Sequence, residues 1–98
     1  MKVMPKSIKN EFTDQLFDAV LSLKTREECY DFFKDVATVA EIQEMSRRLE
    51  VARMLSEGAT YEEIVNHTGV STATVSRVKR ALDYGADGYN MVLERLEQ

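Results

Sequence analysis

The sequence is poor in the residues that build disulfides, metal sites and many catalytic centres. Its 98 residues include one cysteine, one histidine and no tryptophan, so an internal disulfide and a cysteine-rich metal site are excluded. No run of about 18 apolar residues is present, and the N-terminus lacks an apolar signal region, so we expect neither a membrane span nor secretion. These absences predict a cytoplasmic protein that contains no metal or other cofactor and makes no contact with a membrane.

Proline and glycine are also scarce, with one and four residues respectively, which excludes collagen-like and low-complexity chains. The composition is 44% hydrophobic and 31% charged, as in a folded protein rather than a disordered one. The length predicts a single domain over residues 1–98. The net charge of −4 argues against a uniformly basic surface for nucleic acid, but it does not exclude one basic face.

The apolar residues recur at the three- and four-residue spacing of α-helices along almost the whole chain. Such stripes occupy residues 12–21, 29–36, 42–55, 64–65, 75–82 and 89–96. The one cluster of β-branched residues, 70–75, does not alternate between apolar and polar positions as a half-buried strand would. We therefore predict an all-α fold of about six helices. The first two contain most of the aromatic residues, which makes them candidates for a dimer interface.

Helix-start and helix-stop signals agree with these stripes. In a capping box, a threonine side chain accepts a backbone N–H, and a glutamate three residues later reaches back to the cap. Three such pairs occur: Thr25 with Glu28, Thr38 with Glu41, and Thr60 with Glu63. Ser71 is a further candidate N-cap. Gly58 and Gly85 follow the third and fifth stripes, and both are predicted to end a helix in the left-handed conformation.

Residues 60–82 have the pattern of a helix-turn-helix. A short helix leads to Gly69, where a tight turn needs the conformation that costs glycine least. Val70 then provides an apolar plug, and Ser71 caps the next helix. Three further apolar residues have the spacing needed to seal the two helices against each other. They are Ile64, Val75 and Val78.

The second helix of this motif, predicted at 72–82, has a basic face opposite its apolar face. Residues 71–82 contain three basic residues and no acidic one, whereas the other 86 residues contain 10 basic and 17 acidic residues. Hydroxyl and methyl groups can contact base edges in a major groove, and basic side chains suit phosphates or guanine. We therefore expect double-stranded DNA as the partner. The candidate DNA-binding residues are Ser71, Thr72, Ala73, Thr74, Ser76, Arg77, Lys79 and Arg80.

Three segments of the chain resemble the Trp repressor superfamily. They are Glu44-Met45-Ser46-Arg47-Arg48-Leu49, the stretch 54–58 and the stretch 60–77. Over nearly its whole length, the chain looks like the bacterial Trp-repressor-like YerC/YecD family. The resemblance implies an intertwined homodimer in which helix 72–82 reads DNA. The expected function is that of a sequence-specific DNA-binding transcriptional regulator, and more narrowly of a repressor.

The resemblance also identifies a candidate effector pocket. In the Trp repressor, tryptophan lies between two arginines, which correspond to Arg48 and Arg77. Val78 and Ala81 stand where that repressor has glycine and serine, so the first crowds an indole and the second cannot hydrogen-bond the amino acid. We therefore expect DNA binding that does not depend on tryptophan, and a different small-molecule effector stays open. Pairing with Glu44 and contact with phosphates are alternative roles for the two arginines.

Two functional classes other than DNA binding can be compared with the sequence, a protein-interaction module and an enzyme. The overall acidity and the aromatic-rich N-terminal helices favour, as the alternative, a helical protein-interaction module without DNA binding. An enzyme is not expected, because no nucleophile, base and oxyanion donor can be assembled. Cys29 lies on an apolar stripe and is predicted to be buried rather than nucleophilic. His67 is predicted at a helix C-terminus, where the helix dipole favours it.

Overall fold

A computed structural model describes residues 8–97 of the chain, and every regular element in this part is an α-helix. The six helices are α1 Glu11–Leu21, α2 Arg26–Val36, α3 Val39–Ser56, α4 Tyr61–Thr68, α5 Thr72–Tyr84 and α6 Gly88–Leu96. The predicted all-α fold of six helices is confirmed. The second helix of the motif is slightly longer than predicted, because α5 continues to Tyr84.

The contacts divide the chain into two compact units, Met1–Thr38 and Val39–Gln98. The first unit contains α1 and α2, and the second contains α3 to α6. The assignment of residues 1–98 to one domain stays a prediction. The whole helix-turn-helix lies within the second unit.

The described part of the first unit contains two short helices, α1 and α2, and neither helix has a buried residue. The Thr25 side chain caps α2 by accepting the Glu28 N–H at 3.1 Å. The predicted capping box is altered here, since the Glu28 carboxylate accepts the N–H of Lys24 instead, at 2.8 Å. Cys29 is exposed, so the prediction that it is buried is wrong. Two short helices supply too few neighbours to enclose its side chain.

The second unit is built on a core of six buried apolar residues. They are Val51 and Ala52 from α3, Ile64 from α4, Val75 and Val78 from α5, and Leu93 from α6. The three residues predicted to seal the helix-turn-helix are all in this core, and none is more than 1% exposed. Val70, the predicted plug, is half-buried and packs against the core. The core therefore fixes α5 by one face and leaves the opposite face to solvent.

The apolar stripe predicted for α3, which consists of Ile42, Met45, Leu49, Ala52 and Leu55, is only partly buried. Ala52 is buried and Leu55 packs against the core, as the stripe predicts. Met45 and Leu49 are exposed, however, and the fully buried Val51 lies beside the stripe. α3 has 18 residues, and its core residues lie in its second half. Its first half therefore presents apolar side chains to solvent.

The local geometry of the helix-turn-helix agrees with the sequence signals. The Thr60 side chain accepts the Glu63 N–H at 3.1 Å, and the Glu63 carboxylate accepts the Thr60 N–H at 2.8 Å, which completes a capping box. Gly69 ends α4 in the left-handed conformation, with φ of 79°. Ser71 caps α5 by accepting the Thr74 N–H at 3.2 Å. α3 also begins where predicted, directly after Thr38.

The end of α5 differs from the prediction. Gly58 is left-handed as expected, with φ of 89°, but Gly85 is extended, with φ of −86° and ψ of −154°. Glycine is needed at 85 for a steric reason, because a Cβ there would collide with the carbonyl oxygen of Ala81. The left-handed residue of this connection is Asp87, with φ of 69°. The Asn90 amide donates to the Asp87 carboxylate at 2.8 Å and so braces that conformation.

Candidate nucleic-acid interface

One face of α5 is held in the core, and the opposite face is open to solvent. Val75 and Val78 define the buried face. Successive side chains of a helix are about 100° apart, which places four of the predicted DNA-binding residues on the other side. They are Ala73, Ser76, Arg77 and Arg80, and all four are exposed. Thr72, in the first turn of α5, is exposed as well.

The start of α5 is fixed by hydroxyl groups in the turn. The Thr68 hydroxyl donates to the Ile64 carbonyl at 2.7 Å and accepts the Val70 N–H at 3.3 Å, which ties the end of α4 to the residue that enters the core. The Ser71 hydroxyl caps the helix and also donates to the Thr74 hydroxyl at 3.2 Å. Ser71 therefore positions the helix, and its hydroxyl is already engaged within the protein.

The two arginines on the open face of α5 are available to an external partner. Across residues 8–97, the guanidinium groups of Arg77 and Arg80 form neither a hydrogen bond nor an ion pair with another described residue. Each guanidinium carries five N–H donors in a planar fork. Two permanent cations thus lie three residues apart on one exposed surface, beside the Ser76 hydroxyl.

Lys79 differs from these arginines because it is already paired. Its Nζ lies 3.0 Å from the Asp83 carboxylate, one helical turn further along α5. The hydrogen bond to Asp83 raises the pKa of Lys79. The pair lies on a flank of α5 and borders a cavity of about 400 Å³ that Tyr61 and Asn90 also line. The four-residue spacing of the two charges is a sequence signal from which the pair can be predicted.

The other flank of α5 borders a smaller cavity on the side of α3. This cavity has a volume of about 150 Å³ and is lined by Glu44, Arg47, Arg48, Gly69, Val70 and Thr74. Arg48 is half-buried and lies 3.8 Å from Glu44, so pairing with Glu44 is the alternative that the structure shows for this arginine. Arg77 does not line the cavity. The two arginines of the candidate effector pocket therefore do not enclose it together.

Two exposed residues beside this surface are absent from the predicted set. Tyr84 is 85% exposed and lies on the face of Arg77 and Arg80, which its spacing of seven and four residues from them could have indicated. Arg47 is exposed and lines the same cavity as Thr74. No local signal predicts that second proximity, because it depends on how α3 packs beside α5.

An ion-pair cluster connects α3 with the end of α4. Arg53 binds Glu50 through Nε and Nη2, at 2.9 and 2.7 Å, and binds Glu57 through Nη1 at 2.8 Å. His67 Nε2 lies 3.2 Å from Glu50 Oε2. The hydrogen bonds from Arg53 hold the pKa of Glu50 below its ordinary value, and the two glutamates raise the pKa of Arg53. His67 lies at the helix end as predicted, and its contact with Glu50 adds a tertiary link.

The open face of α5 offers hydroxyl groups and the cations of Arg77 and Arg80 to a partner, while the Asp83 carboxylate lies on a flank. Within residues 8–97, no three His, Cys, Asp or Glu side chains are grouped so that they could hold a metal ion. No helix of that same part is both long and apolar enough to cross a bilayer.

The sequence pattern of the Trp repressor protein family matches residues 11–97. The match includes both helices of the motif and the two arginines on the open face of α5. This chain belongs to the Trp repressor family.

Relatives of this Trp repressor family member are similar along nearly their whole length. YerC of Bacillus subtilis (strain 168), which is described as uncharacterized, is 56% identical over 91 residues, which cover 93% of this chain and 88% of YerC. A TrpR-like protein from Eubacterium eligens has a structure with a TM-score of 0.90 and 55% identity, covering 93% of this chain and 94% of that chain. A Trp repressor candidate from Staphylococcus aureus also has a TM-score of 0.90, with 49% identity over 98% of this chain and 96% of that chain. These likenesses confirm the resemblance and the Trp-repressor-like fold.

Two residues that the resemblance aligns with the tryptophan pocket of the Trp repressor, Val78 and Ala81, are both at least half-buried. Val78 is buried in the core, so its branched side chain occupies space beside the α5 backbone. Ala81 is half-buried and lines a cavity of about 480 Å³, together with Leu49, Tyr89 and Val92 among others. Neither side chain offers a polar group to an amino-acid ligand.

Proposed function

We propose that this protein is a sequence-specific DNA-binding transcriptional regulator, acting as a repressor in the bacterial cytoplasm, and that α5 reads the major groove. The observation that carries the proposal is the pair of exposed arginines, Arg77 and Arg80, on a helix whose opposite face is locked in the core. Membership of the Trp repressor family supports it. The proposed activity is binding, and no catalytic step belongs to it.

The residues of the open face have distinct roles in this proposal. Arginine can donate two hydrogen bonds to one guanine or bind a phosphate, so Arg77 and Arg80 supply most of the affinity. Ser76 and Thr72 offer hydroxyls to base edges, and Ala73 offers a methyl group for thymine. Ser71 and Thr74 fix the start of the helix, since their hydroxyls bond to each other.

We propose a homodimer as the binding species, as the family resemblance implies. Large apolar side chains are exposed along α1 and α2, and burial between two copies would remove them from water. Examples are Phe12, Phe17, Leu21 and Tyr30. Sedimentation at micromolar concentration is expected to give twice the chain mass of 11.2 kDa. A monomer under those conditions would contradict this part of the proposal.

The test of DNA binding compares four variants with the unmodified protein. Arg77→Ala and Arg80→Ala are each expected to weaken binding to an enriched duplex by roughly 5- to 150-fold, which corresponds to about 1–3 kcal/mol for a lost base contact. If the arginine contacts a phosphate instead, its replacement by alanine should make the slope of log K against log salt shallower by about 0.9. Arg95→Ala removes the same charge from α6 and serves as the matched control. Full-strength binding by a folded Arg77→Ala/Arg80→Ala double variant would contradict the proposal.

The alternative function is a helical module that binds another protein and not DNA. The exposed apolar residues of α1 and α2 favour it, because such residues also suit a protein partner. It predicts no salt-sensitive DNA binding and a protein that co-purifies at a fixed ratio. The variants above separate the two functions, since Arg77 and Arg80 have no assigned role in the second one.

A further inference from the structure

We infer that Asp83 limits the affinity of this protein for DNA by holding Lys79 in an ion pair that a DNA phosphate must break. This inference rests on the proposed function and deepens it. It assigns a role to an acidic residue on the DNA-reading helix, and it separates Lys79 from the two arginines with which the sequence pattern grouped it.

The geometry of the pair carries the inference. Lys79 Nζ and Asp83 Oδ2 are 3.0 Å apart, with one turn of α5 between the residues. Both side chains are close to half exposed, at 49% and 43%. An external phosphate can therefore reach the ammonium group of Lys79, but it must compete with the Asp83 carboxylate, which already forms an ion pair with that group. Arg77 and Arg80 have no such competitor among the described residues.

The position of the pair on α5 fits a contact with the DNA backbone rather than with bases. Lys79 and Asp83 border the cavity that Tyr61 of α4 also lines, so they lie on the flank of α5 next to the first helix of the motif. Arg77 and Arg80 occupy the open face. When the open face enters a groove, its flanks come closest to the groove walls, which are formed by phosphates. The ligand of Lys79 would thus be a phosphodiester, and Asp83 would oppose it by both competition and repulsion.

The size of the effect follows from the strength of such pairs. An exposed ion pair contributes about 0.2–1 kcal/mol, so breaking it weakens DNA binding by up to roughly fivefold in each protomer. The hydrogen bond to Asp83 raises the pKa of Lys79, which keeps the ammonium charged. Asp83→Asn removes the competing charge and leaves the lysine cationic. We expect it to tighten binding by up to roughly fivefold per protomer, which corresponds to about 1 kcal/mol.

The experiment measures binding of an enriched duplex, and of a scrambled duplex of equal composition, across a salt series. The variants are Asp83→Asn, Lys79→Met and Asp83→Asn/Lys79→Met. Glu62→Gln is the control, because it removes one exposed negative charge from α4 without releasing a lysine. Circular dichroism confirms that each variant is folded.

The inference requires that Asp83→Asn tighten binding to both duplexes by more than Glu62→Gln does, and that the excess vanish in the Lys79→Met background. Equal effects of Asp83→Asn and Glu62→Gln would overturn it, since they would reduce the role of Asp83 to net charge. A gain that persists without Lys79 would overturn it as well. If the unmodified protein and Arg95→Ala bind no duplex, the proposed function itself is wrong. Binding of a duplex by the unmodified protein therefore distinguishes a failure of this inference from a failure of the proposed function.

Discussion

His67 Nε2 on α4 lies 3.2 Å from Glu50 Oε2 on α3, and this contact links the first helix of the proposed DNA-binding motif to the helix that supports it. Glu50 also accepts two hydrogen bonds from Arg53. One carboxylate therefore neutralises a cation on its own helix and contacts the histidine of the next. The motif is thus anchored by a polar contact at its edge as well as by the apolar core below it.

The Glu50 contact predicts a pH-dependent stability difference. The pKa of Glu50 is lower in the folded state than its ordinary value of 4.5. The contribution of Glu50 to stability is therefore complete above pH 4.5 and is lost as the pH falls through the lowered pKa of the folded state. Glu50→Gln should reduce the free energy of unfolding by about 0.5–1 kcal/mol near neutral pH. Urea titrations should show the difference shrinking in acid.

Glu94→Gln is the control for that measurement, because Glu94 is exposed and its side chain forms no ion pair within residues 8–97. Glu94→Gln should have the same free energy of unfolding as the unmodified protein, both near neutral pH and in acid. A Glu50→Gln difference that stayed constant into acid would show that the carboxylate charge has no part in the contact.

The turn of the motif predicts a specific sensitivity at Gly69. Its φ of 79° is left-handed, while the space around it is open, so alanine there is strained by the backbone and not by a clash. Gly69→Ala should lower the free energy of unfolding by about 1–2 kcal/mol. Gly88→Ala is the matched control, since that glycine lies in α6 in open space without a positive φ. Alanine at 88 should be neutral or stabilising, and equal losses at both sites would contradict this explanation.

The buried position of Ile64 predicts that its side chain makes a large contribution to the stability of the second unit. Ile64 is fully buried between α3 and α5, so Ile64→Ala should lower the free energy of unfolding by about 2–5 kcal/mol. Leu96→Ala removes a similar number of atoms from an exposed position of α6 and should change it by less than about 0.5 kcal/mol. Chemical denaturation checks both variants, and a large loss for Leu96→Ala would show that the end of α6 is covered in solution.

Tryptophan should leave DNA binding unchanged. Val78 fills space beside α5, and Ala81 has no group that can bond an amino acid. Fluorescence anisotropy with a labelled duplex should therefore give the same affinity with and without saturating L-tryptophan. A tenfold gain on adding the amino acid would mean that the pocket forms despite these two residues.

The features that local sequence determines could be predicted, and those that depend on tertiary packing could not. The cap at Ser71 and the left-handed Gly69 follow from chemistry within four residues of each position. The extended conformation of Gly85 could not be predicted in this way. It depends on the connection to α6, in which the carbonyl oxygen of Ala81 lies where a Cβ of residue 85 would stand. The His67–Glu50 contact joins residues 17 positions apart, and nothing in either segment points to the other.

The same distinction holds for the candidate site. The exposed arginines of α5 follow from the helical period, which assigns Val75 and Val78 to the core and Arg77 and Arg80 to the opposite face. The pairing of Lys79 with Asp83 could be predicted by the same reasoning, since residues four apart are neighbours on a helix surface. The position of Arg47 beside Thr74 could not be predicted, because it depends on the packing of α3 against the motif.

The measurement that tests the central claim most directly is selection of binding sites from random duplex DNA by the purified protein without any effector. We expect enrichment of one sequence with two-fold symmetry, with half-sites about one helical turn apart. We also expect the Arg77→Ala/Arg80→Ala double variant to enrich nothing. A folded protein that returns the random pool unchanged, while a protein partner co-purifies with it, would contradict DNA reading by α5 and assign the helix-turn-helix to protein recognition.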